Sequence, residues 1–414
     1  MDGDLFPERF FRGLESSIRD VNAAETLPPI CYTDPAFYEF EKRAIFYREW
    51  LCVGRDAWVR NPGDYFTTTH VGEPIVIVRN RDGVLRAMST VCRHRAMLVA
   101  EGHGSARSFR CPYHHWTYSL DGDLVSAPEM DRASSFDKTQ IRLPELKVEV
   151  WLGFIFVNFD QAAAPLAPRL AVATVVLDHF DLGSADESAE VPETKQEPWN
   201  WKVRIENSND GYHANRLHGG PQHDCCPSEL SSFPDLPADS ATYFRYNATT
   251  HPDYSTNPTL KALFPIFPRL TTEERGRCLF LCVPPSLTMF TRCDLVTFNI
   301  FHAEGPETMA SRRSWLVAKG ATKDPLFKEK MSTAVASSAP IVAQDRDVDA
   351  KVQLGLRSKF AIRGRYSWQE QAQRDFNAWL VPRYRTEWAR CVPRAFSGEV
   401  CSGSPQKRRT NQEA

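Results

Sequence analysis

The sequence predicts an α+β protein in which a small antiparallel β domain is followed by a larger α+β domain. Two textures of chain and the boundary between them carry that prediction. From Trp58 to about Asp160 short β-rich runs are separated by turn residues, Gln161–Pro168 is rich in Ala and Pro, and beyond it strand-like runs mix with helical ones. At 414 residues the chain has room for two or three domains and a sizeable core.

Taken in order, Met1–Asp20 is charged and amphipathic without an uninterrupted apolar run, so no secretory signal is expected. Thr33-Asp34-Pro35 is a helix start, an N-cap followed by proline, and Phe37–Trp50 then carries apolar and aromatic residues at helical spacing. Residues 1–55 therefore read as a helical segment packing on the C-terminal domain. Tyr65–Thr69, Pro74–Arg79 and Gly153–Asn158 read as strands, with hairpin tips at Asp82-Gly83 and Asp121-Gly122. These define a β domain over 56–162, closed by the boundary Ala162-Ala163-Ala164-Pro165. In the remainder, 163–400, Leu279–Cys282 and Val296–Phe301 read as strands, and Pro325–Ser338 and Trp368–Val381 as helices. The tail 401–414 is polar, with Lys407-Arg408-Arg409, and reads as a flexible end rather than a nucleic-acid arm.

A formal net charge of -2 and a pI near 6.6 leave no electrostatic footprint for nucleic acid or an anionic membrane. No stretch approaches the ~20 apolar residues of a membrane span. The eleven cysteines are an odd, scattered set without a small-domain framework, which points to reduced thiols and a cytoplasmic setting. The vicinal Cys225-Cys226 pair receives no role. There is no internal repeat, and no G-x-G-x-x-G to hold a nicotinamide or flavin, so reducing equivalents are expected from another protein and from NAD(P)H only indirectly.

Chemistry enters with Cys92, His94, Cys111 and His114, which spell C-x-H, sixteen intervening residues and C-x-x-H. A zinc finger groups like ligands in sequence. Here each half supplies one thiolate and one imidazole, which suits a Rieske 2Fe-2S cluster, where two histidines replace two cysteines on one iron. Zinc, or four unrelated core residues, are the competing readings. A second candidate lies in Trp199–His218. His213 and His218 are five apart, near enough to share a metal if a helix bends or ends between them, and Asp210 precedes His213 by about one turn on the same face. By themselves such histidines are as compatible with a solvated helix.

Together these stretches resemble the catalytic α subunits of Rieske non-heme iron oxygenases, the aromatic-ring-hydroxylating dioxygenases. The resemblance covers nearly the whole chain, through the leading helix, the two cluster loops and E-N-x-x-D-x-x-H-x-x-x-x-H from Glu206 to His218. It implies a helix-grip, START-like fold around a central antiparallel sheet for the C-terminal domain. It also implies one Rieske cluster and one mononuclear Fe(II) per chain, the latter held by two histidines and a carboxylate with positions open for O2. His213 and His218 match the family's histidines. The family's third ligand sits in a segment resembling Q-E-D-x7-Q-x-G, and anchoring on Gln353 and Gly355 places it at Asp345, with Asp347 and Asp349 as solvated alternatives. Asp210 matches the carboxylate that bridges a ligand histidine of the iron to a Rieske histidine of the neighbouring subunit, a short path for electrons. A trimer follows, with or without a separate β subunit, served by a reductase and possibly a ferredoxin.

The chain departs from the family where glycine usually follows C-x-H-R and C-P-Y-H: Ala96 and His115 stand there. His115 is also a possible decoy for the ligand at His114. The expected reaction is hydroxylation or dihydroxylation of a small, aromatic substrate, with Asn207, Phe290, Phe298 and Asn299 as pocket residues. Relatives that demethylate or hydroxylate quaternary amines supply an alternative, in which a carboxylate such as Asp294 completes an aromatic cage. A pure electron carrier is a third possibility, opposed by the long C-terminal remainder.

Overall fold

The computed structural model describes residues 6–396 apart from 189, 219–220, 238–239, 256 and 258, so the expected tail at 401–414 lies outside the described residues. Asp34 accepts hydrogen bonds from the amides of Ala36 (2.7 Å) and Phe37 (3.0 Å), starting the helix Pro35–Glu41, with Pro35 at its first position as expected. A π-helical turn, Lys42–Phe46, continues it. This leading segment packs against the C-terminal helix Gln371–Phe396 and the helix Trp201–Asn209 through Phe37, Phe46, Trp201 and Tyr384.

The β domain comprises β1 (Leu51–Arg55), β2 (Asp64–His70), β3 (Glu73–Arg79), β4 (Leu85–Ser89), β5 (His103–Ser105), β6 (Phe109–Arg110), β7 (Thr117–Tyr118), β8 (Leu124–Ser126), β9 (Lys147–Trp151) and β10 (Phe154–Asn158). They form three antiparallel sheets, β1-β10-β9, β4-β3-β2-β5 and β6-β7-β8. The two expected hairpin tips are turns, with Gly83 at φ 78° and Gly122 at φ 91°. Strand β1 pairs with β10, so a boundary at residue 55 separates a strand from its sheet. Alternation along β3 divides its side chains: Val76 and Val78 enter a core that also holds Trp116, Tyr118, Cys92 and Cys111, whereas Ile75 and Ile77 join the main core.

The second part is built on an antiparallel sheet ordered β11-β18-β17-β16-β15-β14-β13, with β12 also on β18. Its strands are β11 (Asp186–Glu187), β12 (Lys195–Glu197), β13 (Ser231–Ser232), β14 (Tyr243–Ala248), β15 (Arg277–Val283), β16 (Leu287–Thr291), β17 (Val296–Gly305) and β18 (Thr308–Val317). One face packs toward the β domain, where Phe298 meets Phe154 edge to face at 5.0 Å. The other carries the long helix Phe327–Leu356, which extends far past the expected end at Ser338 and runs through Pro340. Proline removes one main-chain hydrogen bond and normally ends a helix. Here tertiary anchors further along prevail: Gln353 accepts from the amide of Asn200 (2.8 Å) and Asp349 pairs with Arg204 (3.1 Å). The last helix, Gln371–Phe396, likewise outruns its expected end at Val381.

Candidate metal centres and substrate cavity

Cys92 and Cys111 open two matching turns. In the first, the Cys92 amide donates to the Met97 carbonyl (2.8 Å) and the Ala96 amide to the Cys92 carbonyl (3.0 Å). In the second, the Cys111 amide donates to Trp116 (2.8 Å) and the His115 amide to Cys111 (3.0 Å). Both thiols are buried, while His94 and His114 are exposed with ring centroids 4.6 Å apart. The imidazole against His94 is thus that of His114. Trp116 stacks under His94 at 4.8 Å. The Tyr118 hydroxyl accepts from the Arg93 amide (3.0 Å) and lies 3.3 Å from the Cys92 sulfur, where it can donate to a thiolate. Among the described residues these four ligand candidates do not form a set of donors all within 4.8 Å of one another. A single tetrahedral zinc requires convergence on one point. Sulfur at the buried end and nitrogen at the exposed end fit a two-iron cluster instead.

The second centre forms where a helix breaks. Asn200 caps Trp201–Asn209 by accepting from the Lys202 amide (2.9 Å), and the helix ends at Asn209 because Asp210 is extended, with φ -72° and ψ 116°. Asp210 then accepts from the amide of Tyr212 (2.6 Å), starting the one-turn helix Ala214–Leu217 that His213 and His218 flank. One helix thus breaks before His213, and the short one ends between the two histidines, as expected, with His218 non-helical at φ -104° and ψ 62°. Their Nε2 atoms lie 3.2 Å apart, and Asp345 Oδ1 is 3.0 Å from His218 Nε2 and 3.6 Å from His213 Nε2. His218 Nδ1 donates to Gln344 Oε1 (2.9 Å), which leaves Nε2 free to ligate. His213 Nδ1 is 2.9 Å from Asp210 Oδ2, not aligned as a hydrogen bond in this conformation.

Electrostatics match this convergence. Burial opposes charge on His213, yet the carboxylates of Asp210 and Asp345 raise its pKa to about 9. Burial also opposes ionisation of Asp345, but the two histidines and Arg204 hold it well below the usual carboxylate range. Imidazole and carboxylate thus favour each other's charged forms across one point. Asp347 is exposed and pairs with Lys351 (2.6 Å). Asp349 corrects the expectation of a solvated alternative: it is buried, and burial pushes it up to about 7 despite the Arg204 guanidinium.

The three donors line a cavity of about 130 Å³, near the roughly 150 Å³ of an apolar cavity that admits benzene. Two cross-strand rows of the sheet form one wall, Phe280-Phe290-Thr297 and Thr288-Asn299-Arg313. Ile341 and Val342 of the long helix and Asn207 complete it. Asn207, Phe290 and Asn299 line this cavity. Phe298 does not, because strand alternation turns it to the opposite face, against Phe154 and the Arg55 guanidinium. Asp294 is likewise elsewhere, accepting from the amides of Leu263 (2.7 Å) and Phe264 (3.3 Å). Sequence reasoning missed Gln344, whose place beside Asp345 was the available signal. It also missed Arg204, which lies on the helix Trp201–Asn209 and reaches Asp345 and Asp349, and Arg313, whose facing depends on the register of β18.

Residues 183–386 match the family model of the ring-hydroxylating α subunit catalytic domain, and residues 49–142 that of the Rieske [2Fe-2S] domain. The chain is 34% identical over 287 residues to the carnitine monooxygenase oxygenase subunit of Acinetobacter pittii (strain PHEA-2), spanning 65% of this chain and 71% of the relative. It is 36% identical over 197 residues to the benzene 1,2-dioxygenase subunit alpha of Pseudomonas putida, 46% of this chain and 44% of that one. A solved quaternary ammonium Rieske monooxygenase superposes with a TM-score of 0.76 at 25% identity, over 92% of this chain and 99% of its own.

Proposed function

The chain belongs to the Rieske non-heme iron oxygenases, as an α subunit of the ring-hydroxylating type, and from that premise we propose which of its residues carry the oxygenation of a small substrate. Cys92, His94, Cys111 and His114 hold the cluster, and His213, His218 and Asp345 hold the mononuclear iron. When bound, the cluster supplies single electrons and the iron supplies dioxygen activation. The protein's own part is positional. Tyr118 steadies a cluster thiolate, Gln344 orients His218, and Asp210 stands behind His213 with 19% of its side chain exposed, where a Rieske histidine of a neighbouring copy can reach it. That role for Asp210 requires a closed head-to-tail assembly, for which a trimer suffices, with or without a β subunit. α subunits of this family work with reductase and ferredoxin partners.

The division proposed for the chain is a helical lead to residue 55, an electron-transfer unit over 56–162, a catalytic unit over 163–400 and a tail from 401, with β1 lent by the lead to the sheet of the second unit. Among the described residues no helix is long and apolar enough to cross a membrane, in keeping with the cytoplasmic setting proposed. The match of residues 183–386 to a catalytic domain sets aside the pure electron carrier.

The observation that carries this reading is the convergence of His213, His218 and Asp345 within 4.8 Å in one cavity. Iron analysis tests it: the purified protein is expected to hold about three irons per chain, two in the cluster and one in the triad. Cys111→Ser should abolish the cluster's visible absorbance and leave one iron. Asp210→Ala should keep both centres and lose product formation coupled to oxygen uptake. Full coupled activity in Asp210→Ala would remove Asp210 from the scheme. An aromatic substrate is favoured by Phe290, Ile341 and Val342 in the wall. A quaternary amine is the second reading, supported by the names of relatives and opposed by the wall itself. Among the described residues no Tyr or Trp lines the cavity, and the Phe280 ring is already covered by the Arg245 guanidinium at 3.7 Å.

A further inference from the structure

Four guanidinium groups line the cavity, those of Arg204, Arg245, Arg292 and Arg313. A cavity meant for a neutral ring or for a bare cation has no use for that much positive charge. Three engage the scaffold. Arg204 reaches Asp349 (3.1 Å), Asp345 (3.6 Å) and Asn207 (3.0 Å). Arg245 donates to the carbonyl of Asn209 (3.0 Å) and to Asn247 Oδ1 (2.9 Å) while covering Phe280. Arg292 lies with its guanidinium 5.6 Å from the centre of the Phe290 ring.

Arg313 differs. Its neighbour Arg312 points to the opposite face of β18 and is held there by Thr194 (2.9 Å) and the carbonyl of Thr67 (3.0 Å). Arg313 points into the cavity at the end of the row Thr288-Asn299-Arg313, and it makes no hydrogen bond or ion pair with any described residue. Its side chain is exposed, open to solvent through the mouth of the cavity, and desolvation by the surrounding walls, followed by repulsion from Arg204 and Arg292, lowers its pKa to about 10. A fork of donors left open toward a cavity matches the two oxygens of a carboxylate.

We propose that the substrate carries a carboxylate and that Arg313 binds it, with the remainder of the molecule lying between Phe290 and the Ile341-Val342 side of the long helix, toward the triad. This rests on the oxygenase reading above and makes Arg313 a specificity residue rather than a metal ligand. The same chemistry comes from two sources, an aromatic acid or a quaternary ammonium acid such as carnitine. The two differ at the far end, an aromatic ring in one and a trimethylammonium group in the other, while the anchor engages only the carboxylate that they share.

Equilibrium binding to the oxidised, full-length holoenzyme without reductant decides the matter, using benzoate against benzamide and L-carnitine against its amide. The wild type is expected to favour at least one acid over its amide by ~10- to 100-fold, the scale of a hydrogen bond to a charged group. Arg313→Gln should erase that preference and Arg313→Lys should keep part of it, with cluster absorbance and iron content unchanged in both. A preference for benzoate alone identifies an aromatic acid, and one for carnitine alone a quaternary ammonium acid. A wild type that favours neither acid, or an Arg313→Gln protein that keeps the full preference, overturns the proposal. Should Arg313→Gln lose its iron, the wild-type preference and the Lys variant still decide. Failure of the oxygenase reading shows separately, as a wild type with only about two irons per chain.

Discussion

Ala96 and His115 occupy the left-handed region at φ 57°, each closing a turn that carries two cluster ligands. A side chain at that φ costs roughly 1 kcal/mol that glycine avoids. The two turns nevertheless keep matching hydrogen bonds, so the departures from the family's glycines strain the loops without reshaping them. Ala96→Gly is therefore expected to stabilise its turn by about 1 kcal/mol, which slows loss of the cluster's visible absorbance on warming several-fold. Faster bleaching in that variant would mean that the Ala96 methyl group shields the cluster more than its backbone strains it.

Among the elements, the junction of three helices sets the site's frame. Lys202 and Glu41 are fully buried and 2.7 Å apart, and Tyr384 and Trp201 also donate to the Glu41 carboxylate. The leading helix, the helix that ends at Asn209 and the C-terminal helix are thereby joined at one ion pair. Removing one member of such a pair strands the other charge in the core. Lys202→Met should destabilise the protein by about 3–5 kcal/mol, and adding Glu41→Gln should recover much of the loss. Denaturant titration of the three proteins measures both effects. If Lys202→Met alone is neutral, the pair contributes nothing beyond packing.

At the scale of the whole molecule the two parts meet where β2 lies against β17. His70 and His302 share a hydrogen bond of 2.8 Å there, with Thr68 3.3 Å away, the Val71 amide donating to the Ala303 carbonyl (3.1 Å) and Arg312 close by. Burial and the Arg312 charge lower His70 to about 3, and burial followed by His70 itself lowers His302 well below the ordinary value. Both imidazoles are neutral in the folded protein. Above about pH 6.5 the unfolded chain is neutral at these positions too, so stability is fully present. As pH falls from there toward 3 only the unfolded chain takes up protons, and the interface loses roughly 1.4 kcal/mol per pH unit for each histidine. Replacing both with Gln should flatten the fall in unfolding temperature between pH 7.5 and 5, and an unchanged slope would place the acid sensitivity elsewhere.

The chemistry and the kind of fold can be read from the residues in order, since ligand spacing and turn residues are local. Cys92, His94, Cys111, His114 and the run from Glu206 to His218 are legible as written, and so are the hairpins at Asp82-Gly83 and Asp121-Gly122. Helix ends were less legible, because Pro340 argues locally for a stop that Asp349 and Gln353 override from a distance. The packed fold brings Asp345 to both histidines and buries Asp349 on Arg204. It also decided that Phe298 faces the β domain and Arg313 the cavity. Strand alternation has a period of two, so each such assignment depends on a register set by neighbouring strands. The cation left open in the cavity, and with it the acid proposed as substrate, is a property of that register.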